Sequence, residues 1–201
     1  MFHFATSAQT NKKENKMKIL LLIDNLHSGG AETHVELLAR ELLALGHEVC
    51  VASAGGAIAD RLALLEIKQL RLPLLKINKK SNLLSLLYRC TLSKNLISHY
   101  IHKEKPEIIH AHTRKMAFLV HSISRKAKIP LIVTAHSRAS MQFPKNLLSK
   151  WGDLTIAVSH DIKTHLIANG IPSCQIEVIN NGVYFPTNSF LMQAQPKGEK
   201  E

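Results

Sequence analysis

From Ile67 to Lys103 the chain has no Asp or Glu, although it carries Lys68, Arg71, Lys76, Lys79, Lys80, Arg89, Lys94 and Lys103 there. That gap explains much of a formal charge of +11 over 201 residues. It points toward an anionic partner, whether nucleic acid, lipid or glycan, or toward a solvated basic face. Aromatic residues are scarce, at 5%, and none of the spacing interleaves them with the cations as single-strand stacking requires. Nucleic acid therefore ranks last among the three. Cysteine is nearly absent too: Cys50, Cys90 and Cys174 are odd in number and lack CxxC spacing, which fits free thiols in a reducing cytosol. No apolar run approaches the length of a bilayer span. Ile19 to Ile23 reads as a buried strand instead. Residues 1–16 lack the long apolar centre of a secretory signal and turn polar and basic, so they read as a flexible extension.

Several nucleotide-site motifs are missing as well. The loop after the first strand has no GxGxxG, and the second strand runs into Ser53-Ala54-Gly55-Gly56 without an acidic residue to hold an NAD ribose. GxxxxGK[ST] is absent, and no GxSxG elbow surrounds Ser159. A dinucleotide dehydrogenase, a P-loop NTPase and a serine hydrolase are all poorly supported.

What is present is a regular alternation. Hydrophobic content of 45% and charged content of 20% are globular values. Strands are expected at Lys18–Ile23, Glu48–Ser53, Gln69–Leu75, Glu107–Ala111, Leu131–Ala135, Leu154–Val158 and Ile176–Ile179. Between them, helices are expected at Ala31–Leu45, Ala59–Ile67, Thr113–Ala127, Pro144–Trp151 and His160–Asn169. A long helix capped by Ser81 runs to Glu104. Gly46 stands where a C-terminal cap belongs. Strands separated by helices make an α/β fold, a doubly wound parallel sheet of Rossmann-like type in a single domain. Residues 186–201 turn polar and read as a tail.

Ligands of such sheets bind at the carboxyl ends of the strands. The first of those loops, Asp24 to Glu32, contains Gly29-Gly30 directly before a helix. Small residues there let a ligand approach the backbone, and the helix start directs free N–H groups at it, a geometry suited to phosphate. The fourth strand ends His110-Ala111-His112 and a later one ends Thr134-Ala135-His136-Ser137. Three imidazoles near strand ends have the chemistry to ligate zinc, but no acidic or thiol ligand accompanies them in sequence. The alternative is ordinary strand-end histidines bonded to backbone, which His110 fits best. Ser159 is expected to cap the helix that starts at His160.

Taken in order, these pieces resemble a known family. They are the apolar first strand, Gly29-Gly30-Ala31-Glu32, Ala44-Leu45-Gly46-His47-Glu48-Val49 and Ile108-Ile109-His110-Ala111-His112. Then follow Pro130 through His136, Ile156-Ala157-Val158-Ser159 and Val178-Ile179-Asn180-Asn181-Gly182-Val183. The set is similar to the N-terminal, acceptor-side domain of family-4 glycosyltransferases of GT-B architecture, over residues 17–185. The resemblance implies retaining transfer of a sugar from a nucleotide-sugar donor, used as co-substrate with no metal or other cofactor, to an acceptor hydroxyl on a glycan or lipid-linked molecule. It implies that Gly29 and Gly30 approach the donor diphosphate and that His136 is catalytic, contacting the donor sugar. His112 and Arg138 would line the acceptor side. It also implies a second Rossmann-like domain, bearing paired glutamates for the donor, that these residues do not contain, so this chain alone is expected to be inactive. Tyr184 stands where the family usually has Asp. The protein is expected to be cytoplasmic, or peripheral at the inner membrane face. A second expectation, from a different class, is a non-catalytic module that binds an anionic lipid or glycan.

The helix of residues 81–104 motivates the membrane expectation. One stripe, Leu83, Leu86, Leu87, Cys90, Ile97 and Ile101, is expected to pack on the sheet. A second run, Leu84, Tyr88, Leu92 and Leu96, lies on another face, either buried beneath residues 69–78 or facing an anionic membrane.

Overall fold

The computed structural model describes residues 16–73, 82–138 and 150–182. Seven strands form one sheet: β1 (Lys18–Leu22), β2 (Glu48–Ser53), β3 (Lys68–Arg71), β4 (Ile108–Ala111), β5 (Leu131–Ala135), β6 (Leu154–Ala157) and β7 (Ile176–Val178). Their spatial order is β3-β2-β1-β4-β5-β6-β7, and every pairing is parallel. This is the expected doubly wound Rossmann-like sheet, and its order reverses between β1 and β4.

Among the described residues five α-helices cover it: α1 (Gly30–Ala44), α2 (Ala57–Leu64), α3 (Leu83–Glu104), α4 (Arg114–Ala127) and α5 (His160–Ala168). Alternation along the strands divides the core between two faces. Ile19, Leu21, Val49 and Val51 pack with Val35 and Ala39 of α1 and Ile58 and Leu62 of α2. Leu20, Leu22, Cys50, Ile109, Leu131 and Val133 pack with Ile97 and Ile101 of α3 and Met116 and Val120 of α4. A smaller cluster joins Ala157, Ile162, Leu166 and Ile176 around β6, β7 and α5.

Helix ends follow local chemistry. Gly46, at φ 87°, ends α1 with its N–H on the Leu43 carbonyl while the N–H of His47 reaches that of Leu42, the paired closure a left-handed residue permits. Thr113 and Ser159 accept the N–H groups of Met116 and Ile162, so Ser159 is the expected cap. The cap of α3 is Asn82 rather than Ser81: its side chain accepts the Leu84 N–H at 3.1 Å. Most element ends fall within a residue of expectation, and α2 and β3 depart further. Gly55 and Gly56, both at positive φ, let α2 begin two residues early at Ala57, and it stops at Leu64; β3 ends at Arg71. The extension expected over residues 1–16 (all but Lys16), Tyr184 and the expected 186–201 tail lie outside the described residues; so does the expected Pro144–Trp151 helix, but for Lys150 and Trp151, which are not helical.

The first half of α3 departs from its expected packing. Leu83, Leu84, Leu87 and Tyr88 are all exposed, at 67%, 71%, 54% and 68%. The stripe assigned to the sheet makes core contact only from Cys90 onward, and Leu96 of the second run also joins that core. The division therefore runs along the helix: its start is exposed and its later turns join the core.

Candidate functional site at the switch point

The loops after β1 and β4 diverge where the strand order reverses, and this opens a crevice at the carboxyl edge of the sheet. On the β1 side, Leu26 is fully buried and is held by hydrogen bonds to the β2 loop: its N–H donates to the Gly55 carbonyl and its carbonyl accepts from Ile58. Gly56 is needed for this contact, since a Cβ there would stand 2.4 Å from the Leu26 carbonyl. Across the switch, the Thr113 hydroxyl donates to Asp24 Oδ1 at 2.9 Å, and Lys115 pairs with the same carboxylate. The two loops are thus tied together at their base while their tips stay apart.

At one tip Gly29 and Gly30 open α1. Gly29 is the N-cap and has no side-chain capping bond, so the first-turn N–H groups point outward without intrahelical partners. The Glu32 carboxylate curls back beside Gly29, close enough to occupy the place of a Cβ, as the helix dipole favours. A cavity of about 580 Å³ lies here, bounded by Gly29, Gly30, His34, Arg40, Asn181 and Gly182.

At the other tip the carboxyl ends of β4 and β5 deliver the histidines. His112, whose N–H continues the ladder to Leu22, is 2% exposed, and His136 is half-buried. A second cavity, about 410 Å³, is lined by His112, Thr113, Thr134, His136, Arg138 and Trp151 among others. The expected site residues therefore meet around one crevice. Arg138 reaches it from an exposed position, with its guanidinium already paired to Asp161. That pairing raises the Arg138 pKa and lowers that of Asp161.

His110 corrects one expectation: its ring does not bond to backbone but meets Thr134 Oγ1 through Nε2 at 2.7 Å. Its ring lies tilted against that of His112, centroids 4.1 Å apart. The residue that sequence reasoning missed is His34. It lies one turn into α1, its ring 5.5 Å from that of His112 and 5.0 Å from that of His136. Nothing in its local sequence marks it. Only its spacing of four residues from Gly30, on a helix that begins at the crevice, aims it back toward the strand ends.

Four imidazoles so close together and so poorly hydrated are held neutral. Burial pushes His110 down to about 3, with repulsion from His34 and His136 adding to it. Burial first, then the neighbouring His110, His136 and His34, holds His112 well below the usual range. His136 is lowered to about 4 by burial and then by His34. For His34 burial also lowers the pKa, partly offset by its hydrogen bond to Asn181. His112 Nε2 is buried and lacks a partner among the described residues.

The glycosyltransferase family 4 profile matches residues 28–184, most of the chain and all of this crevice. The chain belongs to glycosyltransferase family 4. Solved structures agree on its fold. HepE from Anabaena, in complex with UDP-glucose, aligns with TM-score 0.65 at 23% identity over 88% of this chain and 49% of its own. A glycosyltransferase from Rickettsia africae aligns with TM-score 0.64 at 25% identity over 84% and 44%. The lipopolysaccharide outer core galactosyltransferase WaaB aligns with TM-score 0.60 at 19% identity over 85% and 47%. The family-4 chain thus spans about half the length of the solved structures it matches. Among curated proteins none matches the sequence significantly.

Proposed function

We propose that this domain is the acceptor-side half of a GT-B glycosyltransferase that moves a sugar, with retention, from a nucleotide-sugar to an acceptor hydroxyl. The observation that carries the reading is the convergence of Gly29, Gly30, His112 and His136 on one switch-point crevice within a family-4 match. In this reading the α1 start receives the donor diphosphate through backbone N–H groups and stabilises the charge that grows as the phosphate leaves. Glu32 swings outward to admit it, since two anions cannot share the helix start. His136, neutral at physiological pH, meets a donor-sugar hydroxyl as a hydrogen-bonding group and not as a cation. His112 shapes the wall behind it, and Arg138 faces the acceptor. A second Rossmann-like domain, on this chain's continuation or on a partner, closes over the same edge and completes the donor site.

The experiment is a transfer assay on this domain joined to a family-4 donor domain, with a panel of nucleotide-hexoses and a lipid-linked or glycan acceptor. Transfer that is lost on changing His136 supports the reading; transfer indifferent to His136, or none with any donor, overturns it.

A second reading is favoured by the uncovered start of α3. No helix among the described residues is long and apolar enough to cross a membrane. Leu83, Leu84, Leu87 and Tyr88 instead form an exposed apolar patch in the stretch that has no acidic residue. Such a patch suits shallow insertion among anionic headgroups at the inner face of a membrane. It would place the domain beside a lipid-linked acceptor, or serve a non-catalytic module that binds anionic lipid. Salt-sensitive binding to anionic vesicles, absent with neutral ones, supports it; equal binding to both, or to neither, overturns it.

A further inference from the structure

His34, His112 and His136 come from three separate elements, the first turns of α1 and the ends of β4 and β5, yet they present nitrogen to one small space. One ligand nitrogen from each lies within 4.8 Å of the others. His112 Nδ1 and His136 Nε2 stand 3.4 Å apart. That is long for a hydrogen bond. It equals the edge of about 3.3–3.4 Å that two nitrogens span on a tetrahedral ion with bonds of about 2.0–2.1 Å. We propose that His34, His112 and His136 form a binding site for a divalent transition ion of the zinc class, with its fourth coordination position open to the crevice.

Three further features support this site. The donor set is all imidazole nitrogen, which selects zinc, cobalt, nickel and copper over magnesium and calcium, whose preferred ligands are oxygen. The nearby Asp24 carboxylate is already held by Thr113 and Lys115 and so does not alter that preference. His34 has an orienting hydrogen bond with Asn181, and His110, fixed by Thr134, lies tilted against His112. The remaining position is reachable, because His34 lines the cavity beside Gly29 and Gly30 while His112 and His136 line the other. Closing the triangle from 4.8 Å to that edge shortens it by about 1.4 Å, shared between the half-buried His34 and His136 rings. The family resemblance carries no requirement for a metal, so the ion is an additional ligand of the protein. The site shares His112 and His136 with the sugar-transfer reading, and direct metal titration tests it without any transfer assay.

The test reads metal binding directly. The 201-residue chain, stripped with chelator, is titrated with Zn²⁺ by calorimetry and with Co²⁺ by visible absorption, which reports four-coordinate geometry. One equivalent is expected, with a tetrahedral-type Co²⁺ spectrum that Zn²⁺ displaces. His34→Ala and His136→Ala should each weaken binding by roughly 100-fold or more, beyond the 10–100-fold typical of losing an outer partner. His121→Ala and Cys174→Ser, which change groups outside the cluster, should leave affinity within about twofold. Thermal melts without metal show whether each variant is folded, and His34, being partly exposed, keeps the test decisive if a change at His112 prevents folding. Absence of stoichiometric binding overturns the proposal. So does binding that survives both His34→Ala and His136→Ala, or that disappears with Cys174→Ser.

Discussion

His136 and His110 differ by one strand position in the sheet yet make opposite predictions. His136 opens onto a cavity and touches only other imidazoles, those of His34 and His112, among the described contacts, whereas His110 is buried on Thr134. Replacing His136 by Ala in the transfer-competent enzyme should lower kcat on the order of 10²-fold, as loss of a positioned polar group does, with little change in Tm. Steady-state kinetics beside a thermal melt check this; unfolding, or normal turnover, removes His136 from the site. The same histidines set an acid limit. Their folded pKa values lie below the unfolded value of about 6.5, so the unfolded chain binds protons first. Their contribution to stability is present above about pH 6.5 and is lost as pH falls toward the folded values of about 4 for His136 and about 3 for His110. In metal-free buffer, Tm should drop between pH 6.5 and 4, and His110→Gln should flatten that slope. A Tm that stays level over this range contradicts the neutral cluster.

Strand and helix identity was legible where one periodicity dominated. The unbroken Ile19–Ile23 run reads as a buried strand, and its side chains are buried in the cores on the two faces of the sheet; the Leu131–Ala135 run reads as a strand and is β5. Gly46 and Ser159 marked helix ends because each does what only its side chain, or lack of one, allows. The failures have tertiary causes. Leu83 and Leu87 keep the helical spacing of a core stripe, but spacing does not record where the sheet ends. Likewise His34 has no local mark, since what makes it a site residue is the proximity of β4 and β5, far along the chain. Asn82 and Ser81 are both good caps, and only the structure selects between them. Asn82→Ala should then cost about 1 kcal/mol in chemical denaturation, with Ser81→Ala near zero. Gly56→Ala should cost at least about 2 kcal/mol, because it combines a φ of 142° with a clash on the Leu26 carbonyl. For the α3 start, Leu84→Lys with Tyr88→Ser should leave Tm within a few degrees and abolish anionic-vesicle binding. Retained binding would place the membrane contact elsewhere.

Taken whole, the molecule is one side of a crevice. A single parallel sheet presents the glycine turn and the histidines along one edge, and nothing among the described residues covers them. The family-4 match and the half-length alignment to larger glycosyltransferases make a facing domain the natural complement. An edge of this kind should associate with a partner half or with itself, which sedimentation over a range of concentrations reads. Catalysis by positioning needs both walls, since donor and acceptor must be held in contact within a closed, water-poor space. The measurement that bears most directly on this account is sugar transfer by the 201-residue chain alone, beside the same chain joined to a family-4 donor domain. The account predicts transfer from the joined protein and none above background from the chain alone. Robust turnover by the single domain, or none from the joined protein with any nucleotide-hexose, contradicts it.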